Sequence, residues 1–287
     1  MTQLQASPTS PRFWTRLSSG FWAYVDIYLA QLKVTFAIQL QYRVSAALWL
    51  VYTVLEPIIY LTVWSAVARS SGGSVGGYTA GDFAAYFIVT MVVNHVTFTW
   101  IMHEFEVGIR QGQFSPRLLK PMHPIHLDIA ENITYKAMTL IVIAPATIIL
   151  SLLFSPAYNL TMQGLLLAVP ALILSFAMRF LFGWALALAA FWTTRVTAIN
   201  QLYQVVVTFL SGTAVPLALL PEGLRGVSWF LPFRWWTAFP SELILGQVPV
   251  DQILPGFALQ VFWLIATYLG LALIWRRALR QYTSVGA

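Results

Sequence analysis

The chain alternates between long apolar runs and short polar turns. Its most conspicuous polar insert is Ile109-Arg110-Gln111-Gly112-Gln113-Phe114-Ser115-Pro116-Arg117-Leu118-Leu119-Lys120-Pro121. A membrane-spanning helix needs about 20 mostly apolar residues. Six stretches meet that length: roughly Val44 to Ala68, Phe83 to Ile101, Lys136 to Ser155, Gly164 to Thr193, Ala198 to Leu220 and Ile253 to Trp275. The fourth is long enough to tilt or to project beyond the bilayer.

Two further apolar segments do not read as spans. From Phe21 to Tyr42, Trp22, Val25, Leu29, Leu32, Phe36 and Leu40 share one helical face, with Asp26, Lys33 and Gln41 off it. That periodicity predicts an amphipathic helix lying in the membrane interface and turning into the first span at Arg43, as an anchor or as a mechanical elbow. Pro221 to Gly246 is rich in Trp and Phe but interrupted by Pro232 and Pro240, which forbid one continuous helix. It predicts a broken, partly re-entrant hairpin at the outer interface. Pro232, Phe233, Trp235 and Trp236 are candidates for an external rim, or for an aromatic belt at the headgroups. Ser70 to Gly77 predicts a flexible external loop. The fold class is an all-α integral membrane protein with six transmembrane helices, an N-terminal interfacial helix and an external re-entrant helical hairpin before the last span.

Composition agrees. Hydrophobic residues make up 59% of the 287 and charged residues 9%, with a mean hydropathy of +0.72. Soluble domains carry about 25% charged residues. Residues 21–287 therefore form one membrane domain. Residues 1–20, polar and holding Pro8 and Pro11, predict a disordered tail and lack the apolar core of a signal peptide. The 16 basic against 10 acidic residues need no nucleic-acid partner, because Lys and Arg gather on cytoplasmic flanks of spans. With the N-terminus inside, only Arg69, Arg225 and Arg234 fall outside and Arg179 lies within a span; both termini are then cytoplasmic. The absence of cysteine excludes disulfides and cysteine-ligated metals.

No Gly-x-x-x-x-Gly-Lys-Ser/Thr phosphate loop occurs, so the chain has no ATP site of that kind. His123 and His126 flank Pro124 without an adjacent acid, which makes a poor metal pair and predicts a solvated loop. Glu56, followed by Pro57, and Arg179 stand inside spans. Each costs about 2.5–3.5 kcal/mol at the centre, and roughly a dozen apolar residues offset one such charge. They either pair with each other, within the chain or across a dimer, or line a path. Asn94 and His95 in the second span, and Asn200, Gln201, Gln204, Thr208 and Ser211 in the fifth, are further intramembrane polar candidates. Residues 200, 204, 208 and 211 share one helical face. Such stripes bind neighbouring helices or face a path. No metal or cofactor site is expected in this chain.

The combination resembles the permease subunit of type-2 ATP-binding-cassette (ABC) exporters, and locally the bacterial viologen-exporter-like branch. The matching pieces are Tyr42-Arg43, Ile109 to Gly112, Leu118 to Pro121, Pro232-Phe233-Arg234, and Arg276-Arg277 through Tyr282 to Gly286. The resemblance implies a non-enzymatic transport subunit in the bacterial inner membrane. It implies a second permease, identical or homologous, and two copies of an ABC ATPase that bring ATP and Mg. The cytoplasmic loop, about 102–135, would hold a coupling helix. There Gly112 and Pro121 would shape the turns, Phe114, Leu118 and Leu119 would form an apolar anchor, and Arg110, Gln111, Arg117 and Lys120 would complete the docking surface. Cargo would be an amphiphilic or toxic small molecule, or a lipid or glycoconjugate. The alternatives are an ATP-independent ion-coupled carrier using Glu56 and an intramembrane enzyme, which lacks paired catalytic residues.

Overall fold

A computed structural model describes residues 20–41, 43–120, 122–193 and 196–281. The expected tail, Tyr42, Pro121 and the Tyr282 to Gly286 ending lie outside them, apart from Gly20. The elements are α1 (Gly20–Gln41), α2 (Arg43–Ser70), β1 (Ser74–Val75), β2 (Tyr78–Thr79), α3 (Ala80–Thr97), α4 (Ile101–Arg110), α5 (Ser115–Leu118), α6 (Ile125–Phe154), α7 (Met162–Ala187), α8 (Thr197–Leu210), α9 (Glu222–Phe230), α10 (Phe233–Trp236), α11 (Ala238–Ile244) and α12 (Val250–Gln281). Among the described residues, five stretches are helical, long and apolar enough to cross a membrane: Val51–Ser70, Ala80–Ile109, Ile125–Phe154, Met162–Phe191 and Val250–Gln281. The protein is an all-α, multi-pass membrane protein.

The apolar run Ala198 to Leu220 is not one helix. Its helix α8 has 14 residues, about 21 Å at 1.5 Å per residue, short of a hydrocarbon core of about 30 Å. It ends at Ser211–Gly212, where Gly212 takes φ +87° and its carbonyl accepts the Tyr86 hydroxyl at 2.7 Å. A side chain at Gly212 would strike that hydroxyl, so the turn is specified by both conformation and packing.

The Ser70 to Gly77 segment also departs from expectation. It forms a tight antiparallel hairpin pairing Ser74 with Thr79 and Val75 with Tyr78. Gly76 and Gly77 both have positive φ, as a two-residue Gly-Gly turn prefers. Gly72 to Gly76 carries the spacing Gly-x-Ser-x-Gly, but in a hairpin rather than the strand-to-helix elbow that exposes a nucleophile. The hairpin delivers the chain to a capping box, with Thr79 and Asp82 satisfying each other's backbone N–H groups.

Helix α3 is the most enclosed of the long helices. Its residues Phe83 to Met91 are buried against α2, α6, α7 and α11. Helices α7 and α12 pack along each other and receive α10 and α11 on one side. Helix α1 packs on α6, burying Thr35 and half-burying Tyr28, Gln31 and Gln39, while Leu29, Phe36 and Leu40 of the expected apolar face point away from the protein. Val25 and Leu32 of that face are half-buried as well, and Asp26, Lys33 and Gln41 of the expected polar face are exposed, so the protein-facing side of α1 mixes apolar and polar residues.

The aromatic segment before α12 is three short helices, with Pro221 and Pro232 at the N-caps of α9 and α10 and Pro240 in the first turn of α11. Proline is tolerated there because the first N–H groups of a helix have no intrahelical acceptor. Phe233, Trp235, Trp236 and Phe239 are not spread on the surface as a belt. They are buried against Phe182, Val207 and α12.

Candidate functional site

A cavity of about 660 Å³ opens between α2, α3, α4, α6, α7 and α8. Helix α2 contributes Tyr52, Glu56 and Tyr60; α3 contributes Phe87, Asn94 and His95; the irregular stretch after it gives Phe98, Thr99 and Trp100. Helix α4 adds His103 and Glu104, α6 adds Glu131 and Tyr135, and α8 adds Asn200, Tyr203 and Gln204. Glu56, Asn94, His95, Asn200 and Gln204, picked out as polar residues in apolar sequence, thus share one wall.

Arg179 is behind that wall. Its guanidinium donates to Asn94 Oδ1 at 2.7 Å and Thr97 Oγ1 at 3.1 Å, and lies 5.1 Å from the centre of the Phe98 ring. Glu56 instead accepts from the Tyr60 hydroxyl at 3.3 Å. The direct Glu56–Arg179 pair considered from the sequence does not form within this chain; Arg179 Nη1 donates to neutral oxygens of α3, the helix against which α7 packs. His95 is buried with Nε2 3.0 Å from Thr139 Oγ1. The Thr139 hydroxyl already donates to the Tyr135 carbonyl at 2.7 Å, so the His95 Nε2 proton donates to Thr139.

The wall combines carboxylates (Glu56, Glu104, Glu131), two imidazoles and several aromatic rings, with no Lys or Arg among the described lining residues. A mostly apolar cavity with a few convergent polar groups suits a small amphiphile. The hydrogen bond from Trp100 Nε1 to Glu104 at 2.7 Å fixes one ring of this wall.

The basic insert begins at the end of α4. Gly112 takes φ +70° in the turn that follows, and Gln113 N–H donates to the Gly108 carbonyl at 2.8 Å. Phe114, expected among outward apolar anchors, is turned inward and only 1% exposed, with Phe105 and Phe191 rings 5.2 and 5.3 Å away. Leu118 is half-buried against the same cluster, whereas Leu119 is 86% exposed. Gln111 and Lys120 are exposed as well. The Arg110 side chain and Pro121 lie outside the described part. Arg117 is tied inward by an ion pair to Asp128 at 2.9 Å. Asp128 also accepts from Trp184 Nε1 at 2.9 Å, so α5, α6 and α7 meet at one buried carboxylate.

Lys136, Asp128, Glu104 and Glu131 were not singled out by sequence reasoning. Beginning the third span at Lys136 hid the signal: helix α6 starts at Ile125, and Asp128, Asn132, Tyr135 and Thr139 recur at spacings of three and four, one polar face in an apolar helix. Carboxylate oxygens of Glu104, Asp128 and Glu131 lie within 4.8 Å of one another, a donor set of the kind hard cations use. Both oxygens of Asp128 are already engaged, by Arg117 and Trp184.

Five long apolar helices, an internal aromatic cavity and an exposed basic turn define a multi-pass membrane transport protein. Residues 27–286 match the model of the ABC-2 family transporter proteins, and the chain belongs to that family. It is the transmembrane, permease-type subunit of an ABC transporter, and the family implies an ABC ATPase partner. No curated protein matches the chain.

Proposed function

We propose that the chain is the membrane half of an ATP-driven exporter. Two permeases, identical or homologous, and two copies of an ABC ATPase make the working unit. The chain crosses a bacterial inner membrane six times, with α8 as a shortened fifth span and α9 to α11 as an external re-entrant hairpin. Both termini and the basic segment are cytoplasmic. Cargo is an amphiphilic or toxic small molecule that occupies the cavity, and ATP closure in the partner drives it outward.

One observation carries this reading. A single stretch of chain, residues 94–120, forms the cavity wall at one end and the exposed Leu119–Lys120 surface at the other. Binding energy of a partner on that surface is therefore applied to chain that also contacts the cavity. Leu119 supplies the apolar contact, Gln111 and Lys120 the polar rim, and Phe114 and Leu118 fasten the segment to the permease itself.

The test is co-purification with the ABC ATPase and ATP-dependent transport in proteoliposomes. Leu119→Asp is expected to reduce both at least tenfold, with unchanged expression and gel-filtration profile, because an exposed side chain contributes little to the fold. Native co-purification and transport in that variant would sink the coupling assignment. Cargo movement by the permease alone, driven by an ion gradient and lost in Glu56→Gln, would instead establish an ion-coupled carrier.

A further inference from the structure

Between Thr97 and Ile101 the second long apolar run stops being a helix, although Asn94 to Met102 contains neither proline nor glycine. Sharp departures from a helix have identifiable causes: proline, glycine, a π-bulge, or a group inserted into the hydrogen-bond ladder. Here the inserted group is visible. In a continuous helix the Phe98 carbonyl would accept from the Met102 N–H. Instead Lys136 Nζ donates to that carbonyl at 2.6 Å.

The ammonium is well held. Asn132 Oδ1 is 3.4 Å away, and the Trp100 and Phe176 ring centres lie at 5.4 and 5.1 Å. Arg179 grips the preceding turn through Asn94 and Thr97. Two cations therefore sit at the C-terminal end of α3, where the helix dipole and unpaired carbonyls favour positive charge. The local sequence assists, since Val96 to Ile101 is β-branched or aromatic throughout and loses side-chain freedom in a helix.

We propose that Lys136 is a positioning residue that holds the second span broken, and that this break is the joint between cavity wall and basic segment. Ala80–Ile109 spans 30 residues, about 45 Å if built as one straight helix. The break lets α4 turn onto α7 instead. Phe98, Thr99 and Trp100 face the cavity, Trp100 is hydrogen-bonded to Glu104 in the first turn of α4, and the ring of Phe105 of α4 packs at a tilt against Phe114 of the basic segment. The joint thus touches cargo space on one side and reaches the basic segment through two successive contacts, Trp100 with Glu104 and Phe105 with Phe114. Its holding role stands on geometry alone; its transmitting role rests on the coupling function proposed above.

The chain has no cysteine, so spin labels at Ser74→Cys and Gln113→Cys, both exposed positions, report the distance across the joint by electron double resonance. In nanodiscs, Lys136→Met is expected to move the mean distance outside the width of the native distribution, and Lys136→Arg to restore it. A native distance in Lys136→Met overturns the holding role. In the complex with the ABC ATPase, the distance is expected to differ between nucleotide-free and ATP–vanadate-trapped states, and Lys136→Met to lose that difference. A difference retained in Lys136→Met, or absent from the native complex, overturns the transmitting role and leaves the holding role standing. Should Lys136→Met not accumulate, hydrogen exchange of the native protein decides. The Met102 amide should exchange at least a hundredfold faster than those of Phe87 to Met91, and equal protection would mean that no break exists.

Discussion

The end of α3 and the α2 wall of the cavity both carry charge inside apolar sequence, and they handle it in opposite ways. At the end of α3, Arg179 and Lys136 are held by neutral oxygens and aromatic faces, and Arg179 is 4% exposed. On the wall, Glu56 is half-buried, faces open space and has one long bond, 3.3 Å, to Tyr60. A charge whose donors are assigned to acceptors on a packed helix, buried Thr97 among them, belongs to the framework, because removing it leaves those acceptors without their donor. A carboxylate with unused lone pairs on a cavity wall is free to meet a ligand.

The largest effect should therefore fall on Arg179. Arg179→Leu leaves Asn94 and Thr97 without their donor and is expected to cost about 2–3 kcal/mol, read as a loss of thermal stability in detergent. Arg179→Lys keeps the charge but loses the planar guanidinium that lies over the Phe98 ring, on a shorter stem, and should lose roughly half as much. Glu56→Gln should stay within about 0.5 kcal/mol of the native protein while changing cargo affinity or transport. Equal destabilisation by the two neutral variants would erase the distinction between framework and wall.

A middle-sized effect is expected where framework meets surface, at Arg117 and Asp128. Asp128 is buried but Arg117 keeps 29% of its side-chain exposure, so the pair is worth less than a wholly enclosed one. A double-mutant cycle with Arg117→Ala and Asp128→Ala should give a coupling of about 1–2 kcal/mol. A coupling near zero would show that the basic segment is fastened by the apolar contacts of Phe114 and Leu118 without the ion pair.

The contrast also marks what the sequence could and could not reveal. Long apolar runs announce the helices, because only an internally bonded backbone survives in lipid, and polar residues such as Asn94, His95, Asn200 and Gln204 stand out in them. They converge because each avoids lipid for the same reason. Partner choice was not legible: Glu56 and Arg179 looked like a matched pair, but which oxygens a guanidinium reaches depends on which helix packs against it. Nor was direction. Phe114 and Leu119 are both apolar in a polar turn, yet one seals the core and the other faces out. The break at Phe98 escaped notice because its cause is a lysine 38 residues away in sequence. The Gly-Gly hairpin, by contrast, was readable by turn chemistry, and a flexible-linker reading of its composition missed it.

The smallest effect sharpens the comparison at the far end of the basic segment. His123 was expected to be solvated, and its side chain is exposed, yet its ring centre lies 5.5 Å from that of Trp184 and 4.7 Å from that of Trp275. Burial against these rings, and then the neighbouring His126, lower its pKa below the usual 6.5. The folded protein thus prefers the neutral imidazole. Protonation favours the unfolded chain, so the contribution is flat above pH 6.5, turns destabilising as pH falls below it, and levels off beneath the folded value. Because much of the side chain remains exposed, the change should be smaller than any of those above. Thermal melts between pH 7.5 and 5 should fall less steeply for His123→Gln than for the native protein. Identical slopes would mean that the ring is solvated after all, and that the tryptophan cluster stops short of the segment's end.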